Sequence, residues 1–159
     1  MGFIKKQGTG VWTTFFTLCL GIISYIIYRM NIAGEGYFQN SEVKNSVLYL
    51  VIAVVLMVAV LVISQLRFHG VADTVVSVIN DGIRIIIPAL VIVSAVTLIS
   101  GRVEGFAFIY FSNEEVLQEV QTAANLSSAH GAIANIIALV VTAVAGMVSA
   151  FFSAKNKEA

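Results

Sequence analysis

Four apolar runs, about residues 11–28, 46–66, 85–101 and 129–152, contain no Asp, Glu, Lys or Arg. A bilayer core of roughly 30 Å takes about 20 residues of helix, and about 17 at the lower limit. In lipid every backbone N–H and C=O must bond within the protein, so runs of this length fold as helices. With 58% hydrophobic and 11% charged residues and a mean hydropathy of +0.93, the chain is far from a water-soluble domain, whose charged fraction is about 25%. These features predict an all-α integral membrane fold with four transmembrane helices, residues 1–159 forming a single membrane domain. The third run is short, and Val103 to Phe111 is expected to extend it into the interface.

A second pattern organises the runs. Tyr37, Phe38, Asn40, Glu42 and Val43 recur without a gap as Tyr110, Phe111, Asn113, Glu115 and Val116, and the offset of 73 residues also carries Arg29 onto Arg102. Each copy follows one apolar run and precedes another. The chain therefore reads as two tandem helical hairpins, residues 7–66 and 85–152, joined by an amphipathic connection at 67–84 and followed by a tail at 153–159.

Charge sets the expected orientation. One side of the four runs carries Lys5, Lys6, Arg67, Arg84, Lys155 and Lys157 against Asp73, Asp81 and Glu158. The other carries Arg29, Lys44 and Arg102 against Glu35, Glu42, Glu104, Glu114, Glu115 and Glu119. The Lys and Arg excess predicts both termini in the cytoplasm of a plasma-membrane protein, with both motif copies facing outward. Lys5 and Lys6 before an apolar run resemble a signal peptide, but no small-x-small cleavage site follows, so the first run is read as a retained helix. Lys6 stands where a myristoylation signal needs Ser or Thr.

Within this frame the side chains predict local roles. Thr17 and Gly21 in the first run, with Thr13 and Ser24 on the same stripe, form a close-packing face. Ala134, Ala138, Thr142 and Gly146 form another in the fourth, ending at Ser149. Trp12, Tyr25 and Tyr28 suit interfacial anchoring. The second run is expected to face lipid. Phe68, Val71, Val75, Val78, Ile79 and Ile83 recur on one helical face, which predicts a short amphipathic helix at the inner surface, docked on its own bundle for want of lysines. Pro88 is expected in the first turns of the third span. Ser112 with Glu115 is a capping-box pattern, predicting a short outer helix to about Leu126. Asn125-Leu126-Ser127 matches a glycosylation sequon but lies beside a span.

The functional reading centres on the motif. Arg29, Tyr37, Phe38, Asn40 and Glu42, with Arg102, Tyr110, Phe111, Asn113 and Glu115, place a guanidinium, two rings, an amide and a carboxylate at each outer mouth. That set can stack on and hydrogen-bond a small polar ligand. It can equally be architectural, with the rings at the headgroups, Asn40 and Asn113 capping the following helices, and each Arg and Glu closing its own loop. The leading expectation is a non-enzymatic, transport-associated membrane subunit, a homo-oligomer or part of a larger membrane complex, recognising a small ligand, lipid or partner. The alternative is a facilitative pore or permease lined by Thr13, Thr17, Ser94, Thr97 and Asn135. Zero formal charge without a basic run excludes nucleic acid as a natural partner. Cys19, alone in an apolar run, offers no disulfide or cysteine metal site, His69 and His130 fall on opposite sides, and neither a phosphate loop nor a paired nucleophile is present. No cofactor or metal is expected.

Overall fold

The computed structural model of the chain describes residues 8–66 and 70–152. Lys5, Lys6, Arg67, Phe68, His69, Lys155, Lys157 and Glu158 lie outside the described residues. Among the described residues the fold is entirely helical: α1 (Thr9–Ala33), α2 (Lys44–Ile63), α3 (Val71–Phe111), α4 (Glu114–Val120) and α5 (Ala123–Ala150). The first, second, third and fifth are long and apolar enough to cross a membrane. They pack as a four-helix ring in which α1 lies between α2 and α5, and α3 closes the far side between the same two. The core is filled by Leu50, Ala53, Met57, Val60, Val91, Leu98, Leu139 and Ala143.

The largest departure from expectation is α3. The amphipathic connection, the third run and its aromatic extension are one continuous helix of 41 residues. The reason is phase. Asn80, Arg84, Ile87, Val91, Ser94, Leu98, Arg102, Gly105 and Ile109 are all buried, and steps of three or four residues connect them without interruption, so one face packs from Asn80 to Ile109. The apolar face expected to dock on the bundle, Val71, Val75, Val78 and Ile79, is instead exposed, because it lies on the other side of the helix from this one. Pro88 consequently sits in the helix interior rather than in a first turn. It is buried against α5, 3.3 Å from where a Cβ on Gly146 would stand.

Buried hydroxyls join the helices. Ser46 of α2 and Ser94 of α3 donate reciprocally to each other's carbonyls at 2.9 and 2.8 Å. Ser24 of α1 meets Thr142 of α5 at 3.1 Å. The expected packing faces are placed in part: Thr17, Gly21, Thr142 and Gly146 are buried, Ala138 is half-buried, and Ala134 is exposed. A strict four-residue stripe drifts round the helix, and the buried face of α5 runs instead through Ser128, Ala132, Asn135, Leu139, Thr142 and Gly146. Tyr28 is also buried rather than interfacial, its hydroxyl accepting from the Val43 N–H at 2.7 Å. Trp12 and Tyr25 remain exposed.

The short helix α4 is capped by Asn113, whose Oδ1 accepts from the Val116 N–H at 3.0 Å. Ser112, the expected cap, instead donates back to the Phe108 carbonyl at 2.8 Å. The predicted helix to Leu126 breaks after Val120, and Thr122 caps a new one by accepting from the Asn125 N–H. Asn113→Ala should cost roughly 1 kcal/mol, the ordinary value of an N-cap. Asn40, at φ +57 in the loop between α1 and α2, caps nothing, so Asn40→Gly should leave the melting temperature of the detergent-solubilised protein almost unchanged while Asn113→Ala lowers it.

Candidate functional site

The two copies of the motif fold differently. The first lies in the loop between α1 and α2, while in the second Tyr110 and Phe111 form the last turn of α3 and Asn113 caps α4. The two arginines differ as sharply. Arg29 is exposed near the end of α1 and pairs with the exposed Glu42 at 3.0 Å, so the first loop is closed by its own Arg and Glu. Arg102 is wholly buried within α3 and does not end its helix. It reaches into the first copy, donating through Nη1 to the Ser41 hydroxyl at 2.9 Å and through Nη2 to the Ser41 carbonyl at 2.8 Å.

Aromatic packing completes this lock. The Arg102 guanidinium carbon stands 4.4 Å over the Phe38 ring. Phe38, itself buried, takes Tyr37 and Phe106 edge-on at 5.3 and 5.6 Å between ring centres. Tyr37 also leans on Phe108. Phe38 fits because Gly105 is beneath it: a Cβ there would lie 2.4 Å from the ring. Gly101 admits Val43 in the same way, one turn away. The segment Gly101-Arg102-Val103-Glu104-Gly105 is thus a small-x-x-x-small face that receives a loop rather than a helix.

The loop is fastened to α5 as well. Asn31 donates to the Ser128 carbonyl at 2.7 Å, and the Phe38 N–H donates to the Ser128 hydroxyl at 3.1 Å. Beside these bonds an open groove of about 760 Å³ runs between the end of α1 and the start of α5. Ile27 and Met30 give it an apolar wall, Asn31, Ser127 and Ser128 are polar, and Glu35 is the charged residue of the lining.

No family model matches the chain, and neither do any curated protein or solved structure.

The remaining expected site residues are dispersed. Phe111, Asn113 and Glu115 are exposed at the junction of α3 and α4, and Tyr110 is half-buried. Of the residues considered for a pore lining, Thr17, Ser94 and Asn135 lie in the packed interior, and the Thr17 and Ser94 hydroxyls are bonded to carbonyls. Thr13 and Thr97 are only partly buried and bond carbonyls of their own helix. The Asn125 amide of the sequon donates to the Val120 carbonyl at 2.8 Å. The groove residues Ile27 and Met30 carry no signal in the sequence, and Glu35 none beyond its charge, because nothing in their spacing announces that α5 will lie beside them.

Proposed function

We propose that this chain is a non-enzymatic membrane subunit, oligomeric or associated with a larger transport or surface system, whose outer end recognises a ligand in the groove between α1 and α5. A girdle of exposed side chains supports membrane residence: Phe15, Phe16, Ile23 and Ile26 on α1, Val51, Val55 and Val58 on α2, and Val140, Val144 and Val148 on α5 all point away from the core. Burying such surface in lipid is favourable at about 25 cal/mol per Å². The charge asymmetry of the sequence supports cytoplasmic termini, and the recurrence at one offset supports reading the two halves as a tandem repeat.

The observation that carries the reading is the Arg102 lock. It pins the first copy of the motif to α3, so that loop serves as the scaffold and the groove beside it as the receptor. A lining with one carboxylate, several hydroxyl and amide groups and an apolar wall complements a small amphiphile with a positively charged end, of which a phospholipid amine headgroup is the class nearest at hand. Glu35→Gln tests this. Native mass spectrometry of protein extracted gently from its membrane should show retained phosphatidylethanolamine falling roughly three- to tenfold relative to phosphatidylglycerol, a change of about 1 kcal/mol. Equal retention of both lipids in both proteins would exclude the groove as an amine site.

A further inference from the structure

We propose that two copies of this chain associate in parallel through α3, along a seam that begins inside the cell and continues through the bilayer. The inference deepens the oligomeric membrane-subunit reading and rests on it.

The seam is the exposed side of α3. From Val71, alternate steps of four and three residues reach Val75, Val78, Gly82, Ile85 and Ala89. The same steps continue to Ile92, Val96, Ile99 and Val103. Every position is apolar, and all are exposed except Gly82, which is half-buried. A repeat averaging 3.5 residues keeps one stripe facing a partner helix along a left-handed crossing. Lipid alone would account for an apolar stripe within the bilayer. It does not account for the length of this one.

Two buried arginines mark where lipid ends. Arg84 and Arg102 are eighteen residues apart, five turns of 3.6 residues, and so lie on one face about 27 Å apart. That is close to the roughly 30 Å of a hydrocarbon core. Arg84 donates to the Ser149 carbonyl at the end of α5, so the bundle closes there. Val71 to Ile83 extends about 20 Å further. In this overhang Val71 and Val78 are 81% and 67% exposed. Its charged residues are Asp73 and Asp81, the latter 3.7 Å from Arg84, so it presents no basic patch to an anionic lipid surface.

Gly82 points to the same partner. A glycine inside a helix costs roughly 1 kcal/mol relative to alanine, and a Cβ built on Gly82 meets nothing within 4 Å. Its smallness serves no contact inside the subunit. Seven residues on, Ala89 repeats the small position, and together they let a second backbone approach closely. The eight Val and Ile residues of the seam are between 38% and 81% exposed, a total exposed area of roughly 700 Å² per copy, which sets the most that pairing can bury and is of the order of the roughly 800 Å² per partner of a standard stable interface. Parallel pairing follows because both copies share one membrane orientation, and a two-fold dimer sets each seam residue against its own counterpart.

Single cysteines placed in turn at residues 71–79, with Cys19→Ser as background, test the proposal by mild oxidation in native membranes. Cross-linked dimer should peak at positions 71, 75 and 78 and fall several-fold at 76 and 77. Gly82→Leu should reduce the dimer formed through Val78→Cys several-fold without lowering the melting temperature of the monomer, since the glycine it replaces is the poorer helix former and the added side chain meets nothing in the subunit. A flat profile, no dimer, or an unaltered yield in the Gly82→Leu protein would overturn the seam. Native mass spectrometry separates that failure from failure of the wider reading: an oligomer or complex without seam cross-links leaves the membrane-subunit reading standing, and an isolated monomer removes both.

Discussion

Arg102→Ala is expected to lower the stability of the protein by about 2–4 kcal/mol and to release the loop between α1 and α2. Two charge-assisted hydrogen bonds to Ser41 are lost, each worth roughly 1.5–3 kcal/mol when the donor is charged. The contact over Phe38 adds about 0.5–2 kcal/mol. Removing the largest fully buried side chain also leaves a void against Phe38. Against these losses stands the cost of burying the guanidinium, which disappears with it and brings the net effect below the sum. Arg29→Ala is the control: its ion pair with Glu42 is about half exposed on both sides, and such pairs contribute at most about 1 kcal/mol. Arg102→Lys keeps the charge but loses the planar fork that reaches hydroxyl and carbonyl together, and should fall between the two. Thermal unfolding in detergent, read together with thiol labelling of a cysteine placed at Ser41, checks the ranking. Equal melting temperatures for Arg29→Ala and Arg102→Ala would show that the motif arginines are equivalent after all and that no lock exists.

That inequality is the point at which the sequence stops being a guide. Length and hydropathy mark four helices because a bilayer imposes a minimum run of apolar residues, and the same constraint makes their ends uncertain: α5 begins at Ala123, six residues before the apolar run does. The continuity of α3 was legible, since the apolar stripe of the amphipathic segment runs on in phase past Pro88, yet a glycine, an arginine and a proline within seven residues read as a boundary, and the stripe that looked ready to dock is the exposed one. The recurrence of motif residues at one offset is plain in the sequence and has no counterpart in the conformation. Arg29 has Glu42 within reach across a short loop, whereas Arg102 finds Ser41 across a contact between residues 61 positions apart. Spacing within a motif records what lies near in the chain, and only packing decides what lies near in space. The groove is the extreme case, because its two walls are about 90 residues apart and neither carries a pattern.

Gly36→Ala should be the most damaging small substitution in the molecule, at roughly 3 kcal/mol or more. Gly36 has φ +119, a backbone conformation that costs an L residue on the order of 1–3 kcal/mol. Space is lacking as well: an added Cβ would stand 2.4 Å from the Ala124 carbonyl oxygen and 2.8 Å from the Ser128 Cβ. One obstacle is helix backbone and cannot swing aside, so overpacking adds about another 1–3 kcal/mol. The loop would have to lift from α5, parting the Phe38 N–H from the Ser128 hydroxyl and disturbing the groove beside Glu35. Gly34→Ala, two residues away at φ −73, is the matched control. Its Cβ meets the Met30 carbonyl at 3.3 Å, a tight but tolerable contact, and it should cost well under half as much. If thermal unfolding ranked Gly34→Ala above Gly36→Ala, the docking of the loop on α5 would be wrong. Arg102 would then fasten that loop alone, and the groove would lose the wall on which the ligand reading depends.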